Sequence, residues 1–337
     1  MTQIRNLCFG LAATVLLFAP VLAADSNNKA EADTRIGQLV NRGTSVHDPS
    51  TIVKYKGEYW LFATGRGIVS RRSRDLVEWE EGPRVFSTSP AWTTSVAPDF
   101  KGHFWAPDII RVKDQFLLYY SVSKLGKKTS AIGLATNPTL DPADPNYRWT
   151  DRGIVIQSGG RDNFNAIDPS VTQDASGNLW LAFGSFWSGI KLIQLDPSTG
   201  KRLAPDSPIH SLAYHGSIEA SCIYRHGKYY YLFVNWGQCC RGTDSTYNIR
   251  VGRSANITGP YLDKRGVDLL RSGGSLLLGT RGSFIGPGHV GVFSENGNYW
   301  LSCHYYDGEN NGRPTLAILP LQWAADGWPE CVVDVGK

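Results

Sequence analysis

Four ionisable side chains occur at one phase of an internal repeat in this 337-residue sequence. Asp48 and Asp168 each lie nine residues before a turn glycine, and Glu219 and His289 each lie eight residues before one. If the repeats are arranged radially, equivalent positions converge on the axis, so three carboxylates and one imidazole would face one pocket. Carboxylates in an aromatic-rich pocket are typical of glycoside hydrolysis, in which a protonated acid and an ionised base flank the scissile bond.

Each of these residues also has a purely structural interpretation. Asp48 and Asp168 precede prolines, where aspartate is a common turn former. On that interpretation Glu219 is a hydrogen-bonded residue at a strand edge, and His289 is a buried imidazole with a partner. The occurrence of all four at one repeat phase favours the functional interpretation.

The repeat that positions them is a small or turn residue followed by an aromatic and apolar run. Its five copies begin 57, 63, 50 and 70 residues apart, which suits a four-stranded blade with its loops. A second apolar run precedes each turn, and a third follows each copy. The copies are GEYWLF (57–62), DQFLLY (114–119), GNLWLA (177–182), GKYYYL (227–232) and GNYWLS (297–302).

Strand, tight hairpin, strand and a further strand, repeated five times, predict an all-β chain. The expected architecture is a five-bladed β-propeller with its active site at the central axis. The competing interpretation is a two-sheet sandwich, which would not require five copies of one unit. Trp60, Trp180 and Trp300 lie inside the repeated runs and are predicted to pack in the blades.

The first 24 residues have the pattern of a secretory signal peptide, with Arg5 before an apolar stretch and a small-residue exit. The apolar part is shorter than the ~18–20 residues that span a membrane. We therefore predict a signal peptide over residues 1–24, an N-terminal segment over 25–39 and a catalytic propeller over 40–337. The expected location is extracellular or periplasmic.

Composition and charge exclude several other classes of protein. A hydrophobic fraction of 42% is too high for a disordered chain, and a net charge of +4 is too small to indicate nucleic-acid binding. We expect a monomer that binds neither nucleic acid nor membrane. Five cysteines follow the predicted signal peptide and are expected to be buried or partly oxidised thiols. Cys239 and Cys240 are adjacent, so a disulfide between them would close a strained ring.

The chain resembles glycoside hydrolase family 43, and within it the endo-1,5-α-L-arabinanases. The resemblance extends over essentially the whole chain after the signal peptide, and it rests on motifs at the repeat phase and in the loops. These are VHDPS (46–50), FWAPDI (104–109), NAIDPS (165–170), GSFWSGI (184–190), GSIEAS (216–221), CCRGTDSTYNIRVGRS (239–254), TGPY (258–261), GPGH (286–289) and DGWP (326–329).

The resemblance implies a role for each carboxylate. Asp48 would be the general base that activates water, and Glu219 the general acid that protonates the leaving oxygen. Asp168 would orient Glu219 and raise its pKa by repulsion between like charges. Members of the family invert the anomeric centre, which requires the acid and base to stand about 6.5–9.5 Å apart. His289 corresponds to a residue that binds a metal, usually calcium, with water completing the shell.

Five further residues are candidates for contact with the sugar. Phe104, Trp105 and Trp187 are predicted to stack on the apolar faces of arabinofuranose rings, and Asn165 and Ser185 to donate hydrogen bonds. For each tryptophan the alternative is packing within a blade.

The function that these features imply is endo-hydrolysis of linear α-1,5-arabinan, the backbone of pectin side chains. One alternative keeps the mechanism but is exo-acting or directed at xylosides. Another is a non-catalytic carbohydrate-binding propeller. Lectin propellers repeat the same binding residues in every blade, whereas the repeat phase here carries Asp, Asp, Glu and His, which favours one asymmetric catalytic site.

Overall fold

The structure, a computed structural model, describes Met1 and residues 43–333. This part of the chain forms five antiparallel sheets of four strands each, and one of the sheets carries an added strand. The predicted five-bladed β-propeller is confirmed. Residues 2–42 lie outside the described residues, and they include the predicted signal peptide over 1–24 apart from Met1, the segment over 25–39 and the first three residues of the predicted propeller domain over 40–337. The last four residues of that domain also lie outside them.

The blades follow one another along the chain. Blade one consists of β1 (Val53–Tyr55), β2 (Glu58–Ala63), β4 (Val69–Ser73) and β5 (Glu80–Glu81). Blade two consists of β6 (His103–Val112), β7 (Gln115–Val122), β8 (Ser130–Asn137) and β9 (Thr150–Ser158), with β3 (Gly65–Arg66) added beside β6. Blade three consists of β10 (Ser170–Gln173), β11 (Leu179–Phe183), β12 (Ile190–Leu195) and β13 (His210–Ala213).

Blades four and five complete the ring. Blade four consists of β14 (Glu219–His226), β15 (Tyr229–Trp236), β16 (Asn248–Ser254) and β17 (Ser275–Leu278). Blade five consists of β18 (Phe284–Glu295), β19 (Asn298–Asp307), β20 (Arg313–Trp323) and β21 (Pro329–Cys331). The helical segments in the described residues are α1 (Thr93–Val96) and the 3₁₀ turns Gly242–Asp244, Leu269–Arg271 and Gly308–Asn310. Within the described part of the chain, no helix is long and apolar enough to cross a membrane.

Tight hairpins join the first two strands of blades one and five, where the sequence predicts them. Lys56 and Gly57 have φ values of 49° and 84°, and Asn296 and Gly297 have values of 51° and 80°. Two consecutive residues at positive φ are the requirement of a type I′ turn, whose twist matches that of the strands it joins.

Apolar side chains fill the interfaces between neighbouring blades. The last interface closes the ring, because Val46 and Leu61 from the start of the chain pack with Phe293 and Leu316 of blade five. The backbone N–H of Leu316 also donates to the carbonyl oxygen of Thr44 at 3.0 Å, which fastens the first described segment to the last blade. Ring closure therefore brings residues from the two ends of the domain into one central site.

The three tryptophans of the repeated runs are buried in the blades. Trp60, Trp180 and Trp300 lie within β2, β11 and β19 and belong to the apolar clusters between the sheets. Their predicted packing role is confirmed.

Gly189 is a position at which we expect substitution to cost substantial stability. Its φ is +77°, and a Cβ there would stand 2.1 Å from the carbonyl oxygen of Ala213. Gly189→Ala should lower the free energy of unfolding by roughly 2–4 kcal/mol, because left-handed strain and a backbone clash add. Denaturant unfolding followed by circular dichroism measures the change.

Gly177→Ala is the matched control for that measurement. Gly177 has a similar φ of +82°, but a Cβ there would have no atom within 4 Å. This variant should therefore lose only about 1–2 kcal/mol from the left-handed conformation. Equal losses in the two variants would contradict the close approach of Gly189 to Ala213.

Candidate active site

The first strands of the five blades converge on one narrow axial space. Its lining includes one residue from each blade, namely Pro49, Asp108, Pro169, Ser221 and His289. The buried carboxyl of Asp108 accepts the backbone N–H groups of Thr51 at 2.9 Å and Val171 at 2.8 Å, and so ties blades one, two and three together. The radial convergence on which the predicted site depends is present.

In or just before the first strand of each blade, one non-glycine residue adopts a left-handed backbone conformation. These residues are Asp48 (φ 51°), Ala106 (42°), Asp168 (57°), Ala220 (50°) and His289 (61°). Such conformations cost about 1–3 kcal/mol each and concentrate at functional sites. Asp48, Asp168 and His289 therefore share one structural position, whereas Glu219 stands one residue before its counterpart Ala220.

Asp48 is held as an ion-paired carboxylate. Its Oδ2 lies 2.9 Å from Nδ1 of His47 and accepts the Thr64 hydroxyl at 2.5 Å, and its Oδ1 lies 3.5 Å from Nδ1 of His289. Burial would raise the pKa of Asp48, but the adjacent His47 outweighs it, with smaller contributions from His289 and His304, and holds the pKa well below its ordinary value. The carboxylate is therefore ionised and able to accept a proton.

His47 is the main partner of Asp48 and is a residue that the sequence analysis missed. Its ring stacks on His304 with the centroids 4.2 Å apart, and its Nε2 lies 3.0 Å from the Tyr306 hydroxyl. Burial lowers the pKa of His47, but the charge and hydrogen bond of Asp48 outweigh it and raise the pKa to about 10. The sequence feature that could have identified His47 is its position directly before Asp48 in the VHDPS motif.

Glu219 is buried between two hydroxyl donors. Ser185 Oγ donates to its Oε2 at 2.9 Å, and the Tyr247 hydroxyl donates to its Oε1 at 3.0 Å. Burial is the largest effect and raises the pKa of Glu219, the two hydrogen bonds oppose that rise, and the charge of Asp48 adds to it. Tyr247 is a second residue that the sequence analysis missed.

The carboxyl of Asp168 interacts electrostatically with that of Glu219. Its Oδ2 accepts the backbone N–H of Ala220 at 3.1 Å, and its own N–H donates to the Ser121 hydroxyl at 3.0 Å. Burial, then the charges of Glu219 and Asp48, raise the pKa of Asp168 well above its ordinary value. Because the pKa of both carboxyls rises, the pair holds a proton to higher pH than separate exposed carboxyls would, and that proton belongs to the pair.

The site thus separates an ionised carboxylate from a carboxyl pair that retains a proton. Environments that push the pKa values of neighbouring carboxyls apart are the basis of acid–base assignment in glycosidases. The chemistry that this arrangement can perform is proton donation from one side of the pocket and proton acceptance on the other.

Two of the five predicted sugar contacts have exposed surface. Trp187 is 42% exposed, and Trp105 is partly exposed. Trp187 and Phe186 both have positive φ values, of 34° and 51°, in the GSFWSGI loop that Gly184 and Gly189 flank. This strained loop presents the indole of Trp187 to solvent.

The other three predicted contacts have structural partners. Phe104 is 0% exposed and packs against Phe100 and Tyr120, so the prediction that it stacks on a sugar is wrong. Asn165 is buried, and its Oδ1 accepts the Ser130 hydroxyl at 2.7 Å. Ser185 directs its hydroxyl to Glu219, so it positions that carboxyl and does not offer its proton to a sugar.

A cluster with the geometry of a metal site occurs in the described residues, but its members are already engaged. It consists of His47, Asp48 and His304. His304 Nδ1 accepts the backbone N–H of Asp48 at 3.1 Å, and the raised pKa of His47 keeps its ring protonated. Neither imidazole therefore offers a free lone pair to an ion.

His289 fits a cation better, though only as a single ligand. Burial lowers the pKa of this imidazole, with Asp48 opposing the change, so its ring is neutral. Calcium takes about six to eight oxygen ligands, and one imidazole does not form such a cage. The donor chemistry fits a cation that keeps most of its water beside the carboxylates of the pocket.

Comparison with known proteins agrees with this geometry. The sequence profile of the family described as glycosyl hydrolases family 43 matches residues 43–329. An extracellular exo-α-(1→5)-L-arabinofuranosidase of Cellvibrio japonicus is 46% identical over 85% of this chain and 86% of its own length. An extracellular endo-α-(1→5)-L-arabinanase of Bacillus subtilis is 42% identical over 84% of this chain and 87% of its own length.

A solved structure extends the similarity to the fold. The structure of a Cellvibrio cellulosa α-L-arabinanase complexed with arabinohexaose has a TM-score of 0.82 and 45% sequence identity. The match covers 86% of this chain and 95% of that one.

Proposed function

This chain belongs to family 43 of the glycosyl hydrolases, and from that premise we propose that it cleaves internal α-1,5-L-arabinofuranosidic bonds of arabinan with inversion. The observation that carries the proposal is the trio of carboxyls that three blades bring together at one axis, namely the partly exposed Asp48 and the buried Asp168 and Glu219. Relatives that are named for arabinan hydrolysis supply the substrate class.

In the proposed mechanism the reaction is a single displacement. Glu219 transfers its proton to the glycosidic oxygen as the bond from that oxygen to the anomeric carbon breaks. Asp48 accepts a proton from a water molecule whose oxygen attacks the anomeric carbon from the opposite face. The products are a shortened chain with a β-configured reducing end and a new 5-hydroxyl on the leaving chain.

The surrounding residues prepare each group for its step. His47 and Thr64 hold Asp48 in one orientation, and Ser185 and Tyr247 hold Glu219. Asp168 keeps a proton available to Glu219, because two adjacent negative charges in a buried site are unfavourable. Trp105 and Trp187 offer surface on which furanose rings can stack.

The proposal includes a hydrated calcium ion bound by His289. The ion would supply positive charge near Asp48, which favours the ionised form of the base. The protein would contribute the His289 imidazole, and water would complete the shell.

The proposal extends to location and assembly. The relatives from Cellvibrio japonicus and Bacillus subtilis are both named as extracellular. We propose that residues 1–24 direct export and are removed, and that the enzyme, whose propeller covers residues 40–337, acts outside the cell or in the periplasm as a monomer.

An exo-acting enzyme is the second candidate, because the Cellvibrio japonicus relative at 46% identity is named exo-acting. Debranched linear arabinan, sampled early in the reaction and separated by chain length, distinguishes the two. We expect a mixture of arabino-oligosaccharides. Release of arabinose alone, or of one short oligosaccharide alone, would assign the exo mode.

The same digest tests the stereochemistry. Proton NMR during the first minutes should show a β-configured reducing end that later mutarotates, because a single displacement inverts the centre. An α-configured first product would reject the proposed role of Asp48 as a base that activates water.

A further inference from the structure

Two adjacent cysteines lie beside the residues that hold Asp48. Cys239 is partly buried and Cys240 is exposed, in the loop between β15 and the 3₁₀ turn Gly242–Asp244. Cys240 Sγ lies 3.8 Å from Nε2 of His47. The Cys240 N–H donates to the Tyr306 hydroxyl at 2.6 Å, and that hydroxyl also contacts His47. The loop is therefore joined to His47 at two points.

The two cysteines are consecutive in the chain, and Cys240 has a left-handed φ of 64°. Among the other described cysteines, Cys222 and Cys303 are buried and Cys331 lies on the outer strand β21. The pair at 239 and 240 is thus the dithiol that a reagent entering the pocket would meet.

We propose that Cys239 and Cys240 form a redox-active dithiol, a covalent modification site at the edge of the active site whose oxidation by a small-molecule disulfide slows the enzyme. The thiolate of one cysteine attacks the reagent disulfide, forms a mixed disulfide and releases one thiol. The second cysteine then attacks the mixed disulfide, releases the second thiol and closes the bond between the two residues. The protein loses two electrons and two protons, and the reagent gains them.

The environment of Cys240 favours the first attack. The hydrogen bond from Cys239 lowers the pKa of the Cys240 thiol, burial opposes this, and the hydrogen bond and charge of His47 lower it further, to about 5. Thiolates beside a cationic imidazole are the reactive form of cysteine. Adjacent Cα atoms stand only ~3.8 Å apart, less than the ~4.4–6.8 Å of most disulfides, so the closed bond is strained and readily reduced.

Closing that bond changes the surroundings of the proposed base. The Cys240 sulfur moves toward Cys239 and leaves His47 Nε2 with the Tyr306 hydroxyl as its remaining partner in the described structure. His47 positions Asp48, so we expect kcat to fall about threefold to tenfold, the size of one lost hydrogen bond. This readout rests on the proposed function, in which Asp48 is the base.

The experiment treats the full chain with oxidised glutathione, maps the thiols by mass spectrometry and measures kcat on linear arabinan. We expect the peptide that contains Cys239 and Cys240 to lose two hydrogens, kcat to fall, and dithiothreitol to restore both. Cys239→Ser should keep normal activity before treatment and retain one glutathione on Cys240 after it. Cys331→Ser, a matched control on an outer strand, should respond like the wild type.

A second reagent tests the dithiol without activity. Phenylarsine oxide bridges two close thiols through two As–S bonds and releases water, so it should label the wild-type peptide and fail on Cys239→Ser. Absence of both the bridge and the disulfide, or a disulfide mapped to other cysteines, would overturn the proposal. Complete oxidation without a change in kcat would overturn the link to His47. A chain that is inactive on arabinan rejects the proposed function, and the labelling still decides the dithiol.

Discussion

Glu219→Gln is expected to lower kcat on linear arabinan by roughly 10²–10⁴-fold, the usual contribution of a general acid. Glutamine has nearly the same shape, and its amide oxygen can still accept from Ser185 or Tyr247, so the fold and KM should change little. What is lost is the proton that the leaving oxygen needs as its bond breaks. Steady-state kinetics on debranched arabinan at several pH values measure the effect.

The choice of leaving group makes the prediction specific. An aryl glycoside of an α-1,5-arabino-oligosaccharide releases a phenolate that needs little protonation, so Glu219→Gln should recover most of its activity on that substrate. Asp48→Asn should stay inactive on both substrates, because both still require an activated water. Glu330→Gln, an exposed glutamate on β21, is the matched control and should behave as the wild type. If Glu219→Gln kept more than half of the wild-type kcat on arabinan, Glu219 would not be the acid.

The sequence was sufficient to predict the fold because one local pattern recurs in every blade. The repeated run GNLWLA (177–182) enters β11 (Leu179–Phe183), and GKYYYL (227–232) enters β15 (Tyr229–Trp236). The outer strands were not predicted individually. β5 shows why, since Glu80–Glu81 is two exposed residues with no apolar alternation to indicate a strand.

The structural position of Glu219 within its blade could not be predicted by counting residues back from the turn glycine. The pairing of β14 with β15 shifts register between Glu219 and Cys222, and that of β18 with β19 shifts around Gly288. Each bulge adds a residue to one strand and rotates the side chains beyond it. Glu219 and His289 are equally far in sequence from the turn glycine that follows each of them. In the structure, however, the counterpart of His289 in blade four is Ala220 and not Glu219.

The prediction for Phe104 failed for a reason that the sequence contains. Phe104 and Trp105 are neighbours in β6, and neighbours in a strand point to opposite faces. One of them had to enter the core, and the structure places Phe104 there. His47 and Tyr306 are a different case, because they are 259 residues apart and meet only when the propeller closes. Nothing local in the sequence indicates such a pair.

Asp168→Asn is expected to move the alkaline limb of the kcat/KM profile to lower pH by about 1–2 units, the size of a close like-charge interaction. Glu219 must be protonated to act, so activity is lost as the pH rises through the pKa at which the pair gives up its proton. With Asp168 replaced by a neutral amide, its charge no longer opposes ionisation of Glu219. The burial of Glu219 and the charge of Asp48 remain, so part of the raised pKa remains as well.

The direction of the shift does not depend on which carboxyl holds the proton in the wild type. In either case the last proton leaves a pair whose two negative charges repel, and the substitution removes that repulsion. We therefore expect kcat/KM on the alkaline limb to fall about 10- to 100-fold and to recover as the pH is lowered. The amide oxygen of the introduced asparagine can still accept the backbone N–H of Ala220, which preserves the local fold.

Asp206→Asn, which removes an exposed charge from the same blade, should leave the profile unchanged. A uniform loss of activity at every pH, without movement of the limb, would show that Asp168 acts only as a structural support.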